Sequence, residues 1–164
     1  MPNRDRLGAM MISANTLYRY ILNPLVRALL RSPLHGVTSN NIGILHFTGS
    51  KTGHKLDTPL SFTRENNLVR LLSNQNTKWW RNLRGDETSV EMEIARKRYS
   101  GVASLLEGDS PELRASVRQF IRSLPRDAKV YGLELSPDGD IVETSMDAIA
   151  EQLIVVEIQL AAWS

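Results

Sequence analysis

The hydrophobic and polar positions change period along the chain, and each change marks an element. Between Ser13 and Arg31, Leu17, Ile21, Leu25 and Leu29 recur every four residues, with Arg19, Arg27 and Arg31 along another face. That spacing predicts a helix with one apolar stripe, capped by Ser13 and kinked or split at Pro24. Ser32-Pro33 ends it. From Ile42 the period drops to two: Ile42, Ile44 and His46 alternate with Gly43, Leu45 and Phe47. Thr48 to Lys55 reads as a turn, with Gly49 and Gly53 free to take positive φ. Strands follow over Thr58 to Thr63 and Leu68 to Ser73, the second pair joined by the tight-turn sequence Glu65-Asn66-Asn67. Connections this short make neighbouring strands antiparallel, because a parallel crossover needs about a dozen residues or more.

The later chain repeats the pattern. Asn76 or Thr77 caps a short helix through Trp79-Trp80-Arg81-Asn82-Leu83, which Gly85 ends. In Ser89 to Ile94, Val90, Met92 and Ile94 share one face, and Glu91 and Glu93 the other. Arg96-Lys97-Arg98 turns the chain into a strand over Tyr99 to Leu106, and Ile154 to Leu160 forms the last strand. Ser110-Pro111-Glu112 is a helix start: cap, proline at the first position, acid in the first turn. Leu113, Val117 and Phe120 or Ile121 give that helix its buried face. Arg114, Arg118 and Arg122 line its opposite face, as a solvated stripe or a phosphate-binding one. Ser123 to Asp140 reads as loop, and Ser145 caps a short helix through about Glu151. The pattern predicts an α+β protein, a small antiparallel barrel or strongly coiled sheet with flanking helices. Residues 1–36 form an N-terminal helical extension and residues 37–164 the barrel domain.

Composition narrows the function classes. The 164 residues are 41% hydrophobic, which suits one folded domain, and contain no cysteine. Disulfides, zinc ribbons, iron–sulfur clusters and thiol nucleophiles are excluded together. Charge is uneven: residues 1–104 carry fifteen Lys/Arg against seven Asp/Glu, and residues 105–164 carry five against eleven. The front of the chain is therefore the natural seat of an anionic ligand. No targeting signal, membrane-spanning run or lipidation motif is evident, so a cytoplasmic location is expected. The basic, apolar-striped N-terminal helix fits either peripheral contact with an anionic membrane or packing on its own domain.

Most catalytic signatures are missing: there is no nucleophile elbow, Walker loop or dinucleotide fingerprint. His35, His46 and His54 lack metal-ligand spacing, so no metal is expected. Asp138-Gly-Asp140 lacks the rest of a calcium loop and reads as a turn. Trp79 and Trp80 could stack bases, but no nucleic-acid motif accompanies them, and no nucleic-acid partner is expected. Two constellations are more specific. Gly49-Ser-Lys51-Thr52-Gly53-His54-Lys55, followed by Thr58-Pro59-Leu60, is a basic glycine-flanked turn whose amides and lysines can hold phosphate or carboxylate. Trp79-Trp80-Arg81-Asn82-Leu83 offers one tryptophan to the core and another to wall a pocket for a flat ring.

In order and spacing, Arg31-Ser-Pro-Leu-His-Gly36, the Gly-x-Lys-Thr-Gly turn running into Thr58-Pro59-Leu60, and Trp79-x-x-Asn82-Leu83 resemble the deazaflavin (F420)-dependent nitroreductase family, the A class of flavin/deazaflavin oxidoreductases. The resemblance implies a split β-barrel, related to the FMN-binding and pyridoxamine-phosphate-oxidase barrels, that binds coenzyme F420. It also implies hydride transfer from the reduced deazaflavin to a small, hydrophobic, electron-poor substrate: an enone, quinone or nitro compound. By matching positions, Lys51, Thr52, Gly53 and Lys55 would hold the cofactor's phosphate and tail. Ser73 and Asn74 would lie near the ring, and Trp79 and Asn82 would build the wall beneath it. Ser73 and Tyr131 would serve as catalytic, proton-delivering groups.

The match has two departures. Ser50 stands where the family pattern carries an arginine, and Leu56 where it carries a second. Lys55 is one place away from the latter, and in a strand one residue switches face. These departures keep other readings open: FMN or no cofactor, a non-catalytic ligand-binding barrel, or a barrel turned to non-redox chemistry in a biosynthetic pathway. Barrels of this kind often pair, so a homodimer is a further expectation.

Overall fold

The computed structural model of the chain describes residues 41–162. The expected N-terminal helix, the Arg31–Gly36 motif and the 1–36 extension lie outside the described residues. Seven antiparallel strands form one sheet: β1 (Ile42–Thr48), β2 (Lys55–Ser61), β3 (Thr63–Glu65), β4 (Leu68–Asn74), β5 (Thr88–Ile94), β6 (Lys97–Glu107) and β7 (Leu153–Leu160). Their order across the sheet is β2-β1-β5-β6-β7-β4-β3.

The two edge strands, β2 and β3, are separated in sequence by Phe62 alone. One residue thus carries the chain from one edge of the sheet to the other, and the sheet must curl until its edges meet. The Phe62 amide donates to the Asn41 carbonyl at 2.9 Å, and its ring is buried. The sequence pattern joins Thr58 to Thr63 as one strand. The structure breaks it at Phe62, because the residues on either side pair with opposite edges: Ser61 with Ile42 of β1, Thr63 with Arg70 of β4. The result is the expected split β-barrel, with seven strands where about six were foreseen.

Register divides the sheet into two faces. Leu45, Met92, Val90, Ala103, Ile158, Val156, Val69 and Leu71 point into the barrel, and Trp80 and Leu83 of a 3₁₀ turn (Trp79–Leu83) join them in one buried cluster. The Trp80 indole N–H donates to the Asn74 carbonyl at 3.0 Å, and the guanidinium groups of Arg81 and Arg84 cover its ring. A second cluster forms on the outer face of β4 and β7, where Leu72, Leu153 and Val155 meet the helices. These are α1 (Pro111–Ser123), a 3₁₀ turn (Pro125–Tyr131) and α2 (Glu143–Ile149).

All the helical elements between Gly108 and Gln152 are inserted between β6 and β7. Ser110 caps α1 as expected, accepting from the Leu113 amide at 3.1 Å. Two arginines of the stripe are paired within the fold: Arg114 bonds Asp109 and Asp147, and Arg118 bonds Glu143, which ties α1 to α2. Helix α2 starts two residues before Ser145. The Ser145 hydroxyl donates to the Val142 carbonyl and accepts from the Glu134 amide, so it fastens the preceding loop to the first turn. The 3₁₀ turn and a short bridge between Leu135 and Ile141 occupy part of the stretch expected to be loop. No helix among the described residues is long and apolar enough to cross a membrane.

Close packing at the seam leaves no room at Gly43. A methyl group there would stand 2.7 Å from the Glu93 carbonyl oxygen and against the Met92 side chain. Gly43→Ala is therefore expected to cost about 1–3 kcal/mol, the usual range for overpacking. Denaturant unfolding of the two proteins checks this, and an unchanged midpoint contradicts the packing described.

Candidate functional site

The helices cover β4, β7 and the Leu106 end of β6, and among the described residues no helix lies on the rest of the outer face of β2, β1, β5 and β6. A groove of about 1060 Å³ runs across that bare face, reaching Lys55 and Thr48 at the β1–β2 hairpin and Gln159 and Ala161 at the end of β7. Register makes its floor a set of cross-strand rows. Asp57 of β2 stands opposite His46 of β1, which stands opposite Glu91 of β5, which stands opposite Ser100 of β6. His46 Nε2 is 2.9 Å from Glu93 Oε2, and Nδ1 is 4.0 Å from Asp57 Oδ2. Arg98 of β6 reaches both Glu91 and Glu93. Of the two large hydrophobic side chains most exposed among the described residues, Val102 at 39% lies on this face, whereas Leu56 at 40% pairs with Phe47 and turns to the other face of β2, towards Gly49.

The basic turn stands at the groove's hairpin end. Gly53 takes a positive φ of 70°, and two backbone bonds close the turn: Gly49 N–H to the His54 carbonyl and Gly53 N–H to the Gly49 carbonyl. The amides of Lys51 and Thr52 meet no acceptor among the described residues, and Lys51 and Lys55 form no ion pair there. Exposed amides and unpaired lysines on one turn are an anion-binding arrangement. Asn82 holds the turn in place: its Oδ1 accepts from the Ser50 amide at 3.0 Å and the Ser50 hydroxyl at 3.2 Å, and its Nδ2 donates to the Trp79 carbonyl. The structure therefore brings Lys51, Thr52, Gly53, Lys55, Trp79 and Asn82 to one end of the barrel. Asn82 reaches the turn through Ser50, one of the two departures from the family pattern.

Ser73 and Asn74 end β4 on the other side of the tryptophan turn. Ser73 points into the barrel end and is buried. The Ser73 and Thr77 hydroxyls share a hydrogen bond at 2.5 Å, and Thr77 Oγ1 also reaches the Asn74 carbonyl at 3.2 Å. Asn74 accepts from the Asn76 amide through its side chain. Trp79 is half-buried and packs on the barrel core, and its indole N–H is shielded from solvent without a partner among the described residues. Neither Ser73, Asn74, Trp79 nor Asn82 lines the outer groove.

Tyr131 stands elsewhere and does not suit the catalytic role expected of it. It is buried under the helices, its hydroxyl donates to the Leu72 carbonyl at 2.7 Å, and burial pushes its ionisation well above the ordinary range. A proton held this tightly, away from any groove, ties the Pro125–Tyr131 turn to β4. Asp127 of the same turn packs beside Ser61 at the barrel seam. It is buried, and its Oδ2 has no hydrogen-bond partner.

Sequence reading missed Asp57, Glu91, Glu93 and Arg98 as neighbours of His46. The one available signal was phase: His46, Glu91 and Glu93 each sit on the alternate, less apolar set of their strand. Nothing in the sequence said that strands some forty-seven residues apart lie side by side. Among the described residues no cluster is suited to a metal ion.

The curled seven-stranded sheet with helices on half of one face defines a split-barrel protein. The family of F420H(2)-dependent quinone reductases matches residues 31–131, and the chain belongs to that family. A search of curated proteins finds no match. Among solved structures, the chain is similar to an F420-H2 dependent reductase (FDR-A), with 18% identity, TM-score 0.51, and 72% of this chain and 93% of that one covered. It is also similar to a putative 5-nitroimidazole antibiotic resistance protein from Bacteroides thetaiotaomicron, with 13% identity, TM-score 0.51 and 80% of each chain covered. A domain-swapped dimer matches at 17% identity and TM-score 0.51, over 72% of this chain and 79% of its own. At these identities the structural likenesses establish the fold.

Burial raises the Asp127 carboxyl above its ordinary value, against the pull of the Arg126 charge and the nearby Ser61 hydroxyl. The folded state thus holds this proton more tightly than the unfolded state. The proton's stabilising effect is complete below the ordinary aspartate range and is lost as pH rises through the raised folded value. Asp127→Asn should flatten that part of the stability–pH curve, as followed by thermal unfolding across acidic pH. An unchanged curve contradicts the burial argument.

Proposed function

We propose that the protein is an F420-dependent reductase whose basic β1–β2 hairpin holds the cofactor's phosphate and acidic tail, and whose substrate is a small hydrophobic quinone or related electron-poor compound. The observation that carries this reading is the hairpin: two lysines and two amides on a glycine turn that meet no partner among the described residues, the turn fixed to the tryptophan turn through Ser50 and Asn82. Family membership supports the cofactor. The donor set fits an anionic group, and Leu56, exposed beside the turn at Gly49, offers apolar surface next to it.

In this reading Lys51 and Lys55 neutralise the phosphate, the amides of Lys51 and Thr52 orient it, and Gly53 lets the backbone turn close to it. Trp79, Asn74 and Ser73 form the wall at the barrel end. When bound in reduced form, the deazaflavin supplies a hydride; the protein's part is to position, exclude water and provide a proton. Pairing of two barrels over the bare sheet face would complete the cover of the groove, and sedimentation of the purified protein reports whether a dimer forms.

Titrating the protein with F420 and following tryptophan fluorescence tests the reading. Saturable binding in the micromolar range, weakened by salt, is expected. Lys51→Ala should weaken it about tenfold, in line with one charge-assisted contact to phosphate of about 1.5–3 kcal/mol partly screened by solvent. Absence of binding up to the high-micromolar range would reject the F420 reading and leave a binding module or a non-redox enzyme.

A further inference from the structure

The β1–β2 hairpin meets the tryptophan turn through one side chain. Every residue from Ser50 to Asp57 is exposed. Within the turn, the Gly49 amide donates to the His54 carbonyl at 2.8 Å, the Gly53 amide to the Gly49 carbonyl at 2.9 Å, and the His54 amide to Thr52 Oγ1 at 3.2 Å. These bonds shape the turn but do not fix it against the barrel. Among the described residues, the hydrogen bonds that reach the turn from another element both end on Asn82, 32 residues on from Ser50. Its Oδ1 accepts from the Ser50 amide and hydroxyl, and its Nδ2 donates to the Trp79 carbonyl at 3.0 Å. A backbone N–H can only donate and a carbonyl can only accept, so the two backbone partners dictate which way the carboxamide points. One amide group thus holds the hairpin on its oxygen and the tryptophan turn on its nitrogen.

We propose that Asn82 is a positioning residue that couples the two ends of the site, so that an anion on the hairpin and a flat ring against Trp79 bind cooperatively. This deepens the F420 reading and rests on it for the identity of the ligand. The amides of Lys51 and Thr52, which meet no acceptor among the described residues, follow directly on Ser50. An anion held by the Lys51 amide fixes the planar Ser50–Lys51 peptide, and with it the place of Ser50. Ser50 then holds the Asn82 carboxamide through two bonds, and the carboxamide holds the Trp79 carbonyl. Coupling of this kind is reciprocal: a ring that steadies Trp79 also steadies Asn82 and the hairpin beyond it.

The two partners of Asn82 are not equally dependent on it. The tryptophan turn has other anchors: Trp80 donates from its indole N–H to the Asn74 carbonyl at 3.0 Å, the Thr88 hydroxyl donates to the Leu83 carbonyl at 3.3 Å, and Trp79 packs on the barrel core. The exposed hairpin has the Asn82 contact. Asn82 therefore acts mainly by ordering the hairpin against a wall that is already held. A turn ordered in advance loses less conformational freedom when it takes an anion, and that saving appears as affinity. Removing the contact costs most for a ligand that uses both ends of the site, and least for a ligand that uses the wall alone.

The test uses F420, the deazaflavin chromophore without phosphate or tail, and inorganic phosphate at constant ionic strength, with binding followed by tryptophan fluorescence. In wild type, saturating phosphate should tighten the chromophore about fivefold, at the low end of ordinary coupling between two sites. In Asn82→Ala that enhancement should vanish, and F420 should bind about tenfold more weakly while the chromophore alone changes by no more than about twofold. Ser50→Ala keeps the backbone bond to Asn82 and should weaken F420 by about two- to threefold. Combined with Asn82→Ala it should add nothing, because both changes remove the same contact. Thermal unfolding checks that each variant is folded. Without any cofactor, phosphate should shift the Trp79 indole N–H resonance of wild type, assigned by its loss in Trp79→Phe, and leave it unmoved in Asn82→Ala. Equal losses of F420 and chromophore affinity in Asn82→Ala would mean that Asn82 touches the ring itself, and that outcome overturns the proposal. So does a phosphate enhancement that survives in the variant, or a wild-type Trp79 resonance that phosphate leaves in place. Failure of wild type to bind F420 while phosphate still moves that resonance rejects the cofactor and leaves the coupling, so the two failures are told apart.

Discussion

The single residue between β2 and β3 decides most of this structure. Because Phe62 alone joins the two edge strands, the sheet has no freedom to lie open: its edges are covalently tethered to one another. Curling makes an inside, and the inside must be filled at close-packed density. Leu45, Val69, Leu71, Met92, Val156 and Ile158 fill the middle, and Trp80 closes one end. Glycine is required where strands pass too close for a side chain, as at Gly43 beside the Glu93 carbonyl. A barrel closed this way hides one edge problem, since the exposed hydrogen-bonding groups of β2 and β3 are brought to the seam rather than left to solvent along their length.

The same topology places the groove. All the helices between β6 and β7 enter from one strand connection, so they pack on the strands nearest it, β7 and β4, and reach round to the seam at Ser61. Tyr131 locks that arrangement through the Leu72 carbonyl. Among the described residues no helix lies on the other half of the outer face, and its residues are correspondingly polar: His46, Asp57, Glu91, Ser100 and Gln159. Val102 departs from that polarity.

Much of this was legible in the sequence. The apolar runs located six strands, the turns at Thr48–Lys55, Glu65–Asn67 and Arg96–Arg98 fixed their antiparallel sense, and the Ser110-Pro111 start of α1 was read from capping chemistry alone. Local signals carried all of these. What escaped was non-local. No pattern could show that Phe62 is a corner, because the apolar run around it continues unbroken while its hydrogen-bonding partners change. The partners of His46 escaped for the same reason: Asp57 is a hairpin neighbour, but Glu93 and Arg98 reach it only through the β1–β5 and β5–β6 pairings. Tyr131 was misjudged because its burial depends on the helical layer, and Ser145 because its hydroxyl serves the loop before the helix.

The two departures from the family pattern now have different physical weights. At Ser50 a guanidinium is absent, but the serine amide and hydroxyl both bond Asn82, and Asn82 bonds the Trp79 carbonyl. A cation is replaced by a tether, which leaves the hairpin less charged but better anchored to the tryptophan turn. At Leu56 the loss is not compensated in place. Register pairs Leu56 with Phe47 and Lys55 with Thr48, so the neighbouring lysine belongs to the other face of the strand. A lysine is also a point charge on a flexible stem and imposes little geometry, unlike the planar fork of arginine. In the proposed reading the directional part of anion recognition at this hairpin would fall to the backbone, to the amides of Lys51 and Thr52. Those amides would point usefully only while the turn keeps its shape, which the Ser50–Asn82 contact holds, so Asn82 would act on the proposed anion site without a charge of its own.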